Sequence, residues 1–312
     1  MTTPRPLRAF LCALCVSAPA HLSRKLRQQA SRRGAILFLL ALPCLAQTTK
    51  DVRFYSENVQ CYAKLFLPAG FSADSKAAAV IVAPGWGETE ASTEQFAAQI
   101  VAKGIVAMAI DYRGWGRSGG YIYLAEDVRF DDRLRFSQHT AKVRVRRKRL
   151  IPDDQIDDIR NAISYIQGEP GVDRARIGVW GKDMAGGHTM VVAGIDPRVK
   201  AVVAYQPKIE GKDTPRSLSK DAFQQDRIKL ARADSGHATS MSAEENKIAL
   251  AEYHPFWFVS QIPSTTAVLF LVNENNQTDA AAASKILKGA TEVKVSISPQ
   301  EETAEWFAKY LQ

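Results

Sequence analysis

The chain has 312 residues, 46% of them apolar, with 41 Lys plus Arg against 33 Asp plus Glu and a formal net charge of +8. That composition excludes a disordered tail and is long enough for one large or two small domains. A pI near 9.3 invites nucleic acid or anionic membrane as a partner, and the placement of the charge decides whether to accept it.

Residues 1–46 hold Arg5, Arg8, Arg24, Lys25, Arg27, Arg32 and Arg33 and no acidic residue, which leaves a net charge of only +1 for residues 47–312. Arg32-Arg33 precede an uncharged apolar run from Gly34 to Leu42, then Pro43-Cys44-Leu45-Ala46-Gln47. A basic region, a short apolar run and small residues before a cut after Ala46 have the order of an export signal. The run is shorter than the roughly 20 residues that cross a bilayer, so a cleaved leader is expected rather than an anchor. A second apolar stretch, Ala9 to Ala20, has similar features, and two in tandem imply that translation starts downstream of Met1. The expected location is therefore periplasmic or secreted, with the membrane met only transiently through the leader and no nucleic-acid partner. Cys12, Cys15 and Cys44 fall in the leader, so Cys61 is the lone thiol of the exported chain and no intramolecular disulfide is expected.

From residue 47 the chain reads as one domain. Val52–Phe54 and Ala63–Leu67 form an opening antiparallel pair, Ala78–Val82 a buried strand, Ser92–Lys103 a helix and Ile105–Ile110 the next strand. A basic insertion at about 121–151 contains Lys142-Val143-Arg144-Val145-Arg146, whose alternation predicts a twisted β-arm. Acidic Glu126, Asp127, Asp131 and Asp132 beside it favour a solvated ribbon over a nucleic-acid contact. Then follow a helix at Asp153–Gln167, a strand at Arg176–Trp180, a helix from Ala185 and a strand at Val199–Tyr205. After a polar insertion at about 207–250 come strands at Ala267–Val272 and Glu292–Ile297, with helices at Thr278–Leu287 and at the end. Alternating strands and helices predict an α/β fold, a doubly wound, mostly parallel sheet with helices on both faces.

Gly181-Lys182-Asp183-Met184-Ala185-Gly186-Gly187 follows the strand Ile177–Trp180 and opens a helix, the context of a nucleophile elbow. With Asp111-Tyr112-Arg113-Gly114-x-Gly116-x-Ser118 and Gly171-Val172-Asp173-Arg174-x-Arg176-Ile177-Gly178, the chain resembles the α/β-hydrolase superfamily, most closely its dienelactone-hydrolase-like and X-prolyl-peptidase-like esterases. The resemblance implies a Ser nucleophile at the elbow, an acid after the Ala267–Val272 strand and a His base after the last strand. Here the elbow reads Asp183, the acid position aligns with Asn276, with Glu274 and Asp279 as displaced candidates, and no histidine occurs after His254.

A serine esterase needs a base in hydrogen-bond reach of its hydroxyl. A carboxylate at the elbow is already anionic, and relatives that use Asp there displace a leaving group from an alkyl carbon to form an ester, which a His-activated water must then hydrolyse. His188 lies in the helix behind the elbow and is expected to be packing; His254, near the pocket rim, and His139, in the arm, are the candidates to reach the site, with His237 the vaguest. The resemblance also implies an oxyanion hole from the backbone N–H groups of Trp86 and Met184, and Gly85, Trp115 and Tyr121 are candidates for the substrate pocket. No metal-ligand cluster and no cofactor motif is apparent. Two functions follow: a hydrolase acting on ester-like small molecules through Asp183, with His254 and Glu274 as helpers, or an inactive pseudo-hydrolase that binds a small-molecule ligand. The oligomeric state is not legible.

Overall fold

The computed structural model describes residues 47–129, 131–209, 224–225, 227–228, 249–250, 252–274 and 277–312. The leader and most of the 207–250 insertion, including His237, lie outside the described residues, as do Asn275 and Asn276. Ten strands are described: β1 Thr48–Ser56, β2 Val59–Leu67, β3 Ala77–Ala83, β4 Val106–Ile110, β5 Tyr121–Leu124, β6 Val143–Arg146, β7 Val172–Lys182, β8 Val199–Tyr205, β9 Ala267–Val272 and β10 Thr291–Val295. The helices are α1 Glu94–Ala102, α2 Pro152–Ile166, α3 Met184–Ile195, α4 Gln277–Ser284 and α5 Pro299–Leu311.

Eight strands make one sheet in the order β1-β2-β4-β3-β7-β8-β9-β10, and β5 and β6 pair apart from it as the expected arm. β2 runs antiparallel to β1 and β4, and every other pairing in the large sheet is parallel. The central strands β3, β4, β8 and β9 are almost wholly buried, and so is β7 from Ile177 to Gly181, as continuous Val, Ile and Ala runs require when helices cover both faces. Side chains alternate between two cores. Ile81, Met108, Val179, Val202 and Phe270 meet Ile156, Ile159 and Ile163 of α2 and Val192 of α3. On the other face Val80, Val82, Trp180, Val203 and Leu271 meet Phe96 and Ile100 of α1 and Trp306, Phe307 and Leu311 of α5.

Several boundaries differ from expectation: β1 begins at Thr48 rather than Val52, β7 at Val172 rather than Arg176, and α4 ends at Ser284 rather than Leu287. A short 3-10 turn, Glu90–Thr93, precedes α1, and β10 ends at Val295 rather than Ile297, whose side chain is 90% exposed. Ile297 is apolar enough to read as strand, but the chain there is already turning into α5.

The Asp111–Gly120 segment is a structural corner. The Asp111 carboxylate accepts the N–H groups of Glu90 (2.9 Å) and Arg117 (2.7 Å), and Gly116 packs so closely that a Cβ there would overlap that carboxylate. Arg113 is buried and donates from Nε to fully buried Asp158 at 2.8 Å and from Nη2 to Ser56 at 2.6 Å. This network ties α2 to β1 and to the end of β4. Cys61 lies in the same core, and burial pushes its thiol far above the usual range, so it is inert.

Candidate active site

The parallel strands end on one edge, where an α/β sheet places its ligands. There β7 turns abruptly into α3 through Asp183, which adopts φ 55° and ψ −116°. An L-residue holds such a conformation only when its surroundings over-determine it. Its N–H donates to Tyr205 O (2.9 Å), and its carbonyl accepts the N–H groups of Gly186 (3.1 Å) and Lys208 (3.0 Å). Gly181 is obligatory at the base of the turn, because a Cβ would sit 2.2 Å from the Ala185 carbonyl oxygen.

The Asp183 side chain is about one-third exposed, and its Oδ1 lies 3.1 Å from Lys208 Nζ. Lys208 also stands 6.0 Å from the centroid of the Trp86 ring. The turn Gly85–Glu88 after β3, closed by a 3.1 Å hydrogen bond from Glu88 N–H to Gly85 O, lies against the elbow: a Cβ on Gly85 would be 3.5 Å from Asp183 Cβ. Glu88 Oε1 accepts from Lys182 Nζ at 2.5 Å, and Ser92 Oγ donates to Oε2 at 3.0 Å. Burial works to raise the Glu88 pKa, but the Lys182 hydrogen bond and charge prevail and hold it below the ordinary value. The elbow is thus flanked by two lysine–carboxylate pairs.

Met184 opens α3, so its N–H is one of the helix donors without an intrahelical partner. Among the described residues neither this N–H nor that of Trp86 meets an acceptor. Trp115 borders the same loop, its ring 4.0 Å from where a Cβ on Gly87 would be, and its Nε1 donates to Arg149 O at 3.3 Å. Tyr121 is turned away to α2, donating from Oη to Asp154 Oδ2 at 2.6 Å.

His188 is fully buried, with Nε2 2.9 Å from Gln155 Oε1 and Nδ1 2.8 Å from Tyr253 Oη. Burial lowers its pKa from 6.5 to about 3, so the ring stays neutral. With both nitrogens engaged it is the packing residue expected from the sequence. His254 opens a 3-10 turn, Pro255–Gln261, and stacks on Trp257 at 4.4 Å between centroids. Together with Tyr253, Phe258, Ile156 and Val191 these two rings line a cavity of about 400 Å³ beside α2 and α3, and Asp183 is not part of its wall. His139 is exposed in the arm beside Ser137, and Glu274 is exposed in the turn after β9.

Where a base is expected after β10 stands Ser296, whose N–H donates to Val272 O (3.0 Å) and whose Oγ donates to Glu302 at 2.5 Å. No histidine bonds or pairs with Asp183 among the described residues. Lys208, the residue that does meet Asp183, was not singled out by the sequence. It lies 25 positions away in a loop after the next strand, and only the fold brings the two together.

The sheet order, the antiparallel second strand and the strained strand-to-helix turn at the carboxyl edge define an α/β hydrolase. The chain belongs to the dienelactone hydrolase family, whose family model matches residues 65–289. Among curated proteins it is 27% identical over 166 residues to the quorum-quenching protein AidA of Acinetobacter baumannii, covering 53% of this chain and 46% of that one. It is 30% identical over 138 residues to the thiohydrolase apmlB of Arthrinium phaeospermum, covering 44% of this chain and 37% of that one. The chain thus spans less than half the length of these relatives. Solved structures of the same fold include hypothetical protein PA2218 from Pseudomonas aeruginosa (TM-score 0.66, 18% identity, 85% of this chain and 94% of that one). Another is the α/β hydrolase GrgF from Penicillium sp. sh18 (TM-score 0.63, 17% identity, 85% and 99%).

Proposed function

We propose that this member of a hydrolase family keeps the carbonyl-binding half of the site and has lost the nucleophile–base half. It binds small ester-like or acyl molecules at the elbow and does not turn them over by the serine route. The observation that carries this reading is the pairing of Asp183 with Lys208, while His188 is committed to Gln155 and Tyr253. A carboxylate attacking an acyl carbon would form an anhydride and expel a poorer leaving group than itself, so ester cleavage is disfavoured even where the carbonyl is well held. The backbone donors at Trp86 and Met184 survive any side-chain change and supply the carbonyl site. The relative named as a thiohydrolase makes a thioester a natural probe beside an oxygen ester.

A second reading rests on the strained φ of 55° at Asp183, the backbone of a nucleophile elbow. Asp183 would then displace halide from the carbon of an alkyl halide, keep the alkyl group as an ester and stall for want of a base to activate water. The chain is further proposed to act outside the cytoplasm after cleavage near Ala46; β1 begins at Thr48, so that cut would spare every described strand. Intact mass and product release are to be followed with p-nitrophenyl acetate, an acetyl thioester and a short alkyl halide. No sustained turnover and no adduct is the expected result, and Asp183→Ser is expected to leave turnover at background because no base is added. Multiple turnovers abolished by Asp183→Ala would overturn the proposal, and a single stable alkyl adduct would establish the second reading.

A further inference from the structure

The β5–β6 arm breaks the usual rule of ribbon packing. Opposed residues in an antiparallel pair share a face, so the pairings Ile122↔Val145 and Leu124↔Val143 place four aliphatic side chains together, and Tyr121↔Arg146 and Tyr123↔Arg144 make the other face. The polar face is the one held by the body. Tyr121 donates to Asp154 of α2, and Arg149 Nη1 donates to Tyr123 Oη at 3.0 Å. The aliphatic face is left in solvent: Ile122, Leu124, Val143 and Val145 are 50–66% exposed, and Phe136, in the loop that joins the strands, is 87% exposed.

The charge around this apolar face is distinctive too. Residues 121–149 carry nine basic and four acidic residues, so the rest of residues 47–312 has four more acidic than basic side chains. Two of the four acids are occupied within the arm, where Asp131 pairs with Arg133 at 3.0 Å and Glu126 accepts the Lys142 N–H at 3.2 Å. The exposed aliphatic side chains and Phe136, with exposed Arg129, Arg133, Arg135 and Lys142 in the joining loop and a net charge of +5 over residues 121–149, match an anionic bilayer surface, with the carbons entering the acyl boundary and the loop cations meeting headgroup phosphates. Nucleic acid would use the cations but leave the aliphatic face in water, and Tyr121, one of the two tyrosines it would stack on, is bound to α2.

We propose that the arm docks the protein on an anionic phospholipid surface through Ile122, Leu124, Val143, Val145 and Phe136, with Arg129, Arg135 and Lys142 of the joining loop at the headgroups. The test uses the full chain with vesicles of phosphatidylglycerol or phosphatidylcholine. Hydrogen–deuterium exchange is expected to slow in peptides from 121–149 with phosphatidylglycerol only. The Ile122→Thr/Val145→Thr pair and Phe136→Ser, all at exposed sites and checked for unchanged thermal unfolding, are each expected to lower vesicle partitioning about tenfold. Equal partitioning of wild type and variants, or protection confined to the leader, would overturn the proposal. So would a lipid-free dimer that the same variants dissociate, which would make a second copy the occupant. Oligonucleotide binding that survives the apolar substitutions, without vesicle binding, would likewise reject it.

Discussion

His188 couples the stability of the elbow helix to pH. Its ring is fully buried against Gln155 and Tyr253, and burial lowers its pKa from 6.5 to about 3. In the unfolded chain the same imidazole titrates at its ordinary value. Between those two values the unfolded state binds a proton that the folded state refuses, so stability falls as pH drops through 6.5 and stops falling near 3. At about 1.4 kcal/mol per unit, passing from pH 7 to pH 5 removes about 2 kcal/mol through this residue alone. Burial raises the pKa of Asp111, Asp158 and Glu90, which acts in the opposite sense, adding stability as pH falls through their raised values. Those groups are shared with a His188→Gln variant and cancel in the comparison. Urea titrations of both proteins at pH 8, 7, 6 and 5 are expected to show wild type losing about 2 kcal/mol more than the variant across the range. Parallel pH dependences would refute the buried, neutral imidazole.

Two substitutions test the scaffold around the site. Gly181→Ala places a Cβ against the Ala185 carbonyl and should cost about 3 kcal/mol, lowering the thermal midpoint by several degrees in a melt followed by circular dichroism. Arg113→Met leaves the fully buried Asp158 carboxyl without its cation and should cost about 3–5 kcal/mol by denaturant titration, more as pH rises because losing the cation lifts a pKa that burial already raises.

The fold was readable because local signals agreed with one another. Buried Val and Ile runs marked β3, β4, β7, β8 and β9, and glycines punctuated the turns between strand and helix. The elbow was readable for the same reason, since Gly181 and Gly186 flank Asp183 in a strand-to-helix context that sterics alone dictate. The charged partner of Asp183 was not. Lys208 reaches it from the loop after β8, and no periodicity in the chain encodes that convergence. Tyr121, named as a pocket candidate, has its hydroxyl tied to Asp154, a contact set by how the arm folds back on α2. His254 was placed near a rim, and the fold instead stacks it on Trp257 in a cavity that Asp183 does not line. The arm was legible as a ribbon from its alternation, but which face it turns to the body depends on Tyr121 finding Asp154 of α2 there.

An elbow that holds a carbonyl without cleaving its ester is tested on both halves at once by titration calorimetry with a short-chain thioester. Saturable heat that returns to baseline after each injection, with no thiol released, is the predicted result. A sustained heat of hydrolysis proportional to protein concentration, lost in Asp183→Ala, would show instead that the elbow turns the thioester over.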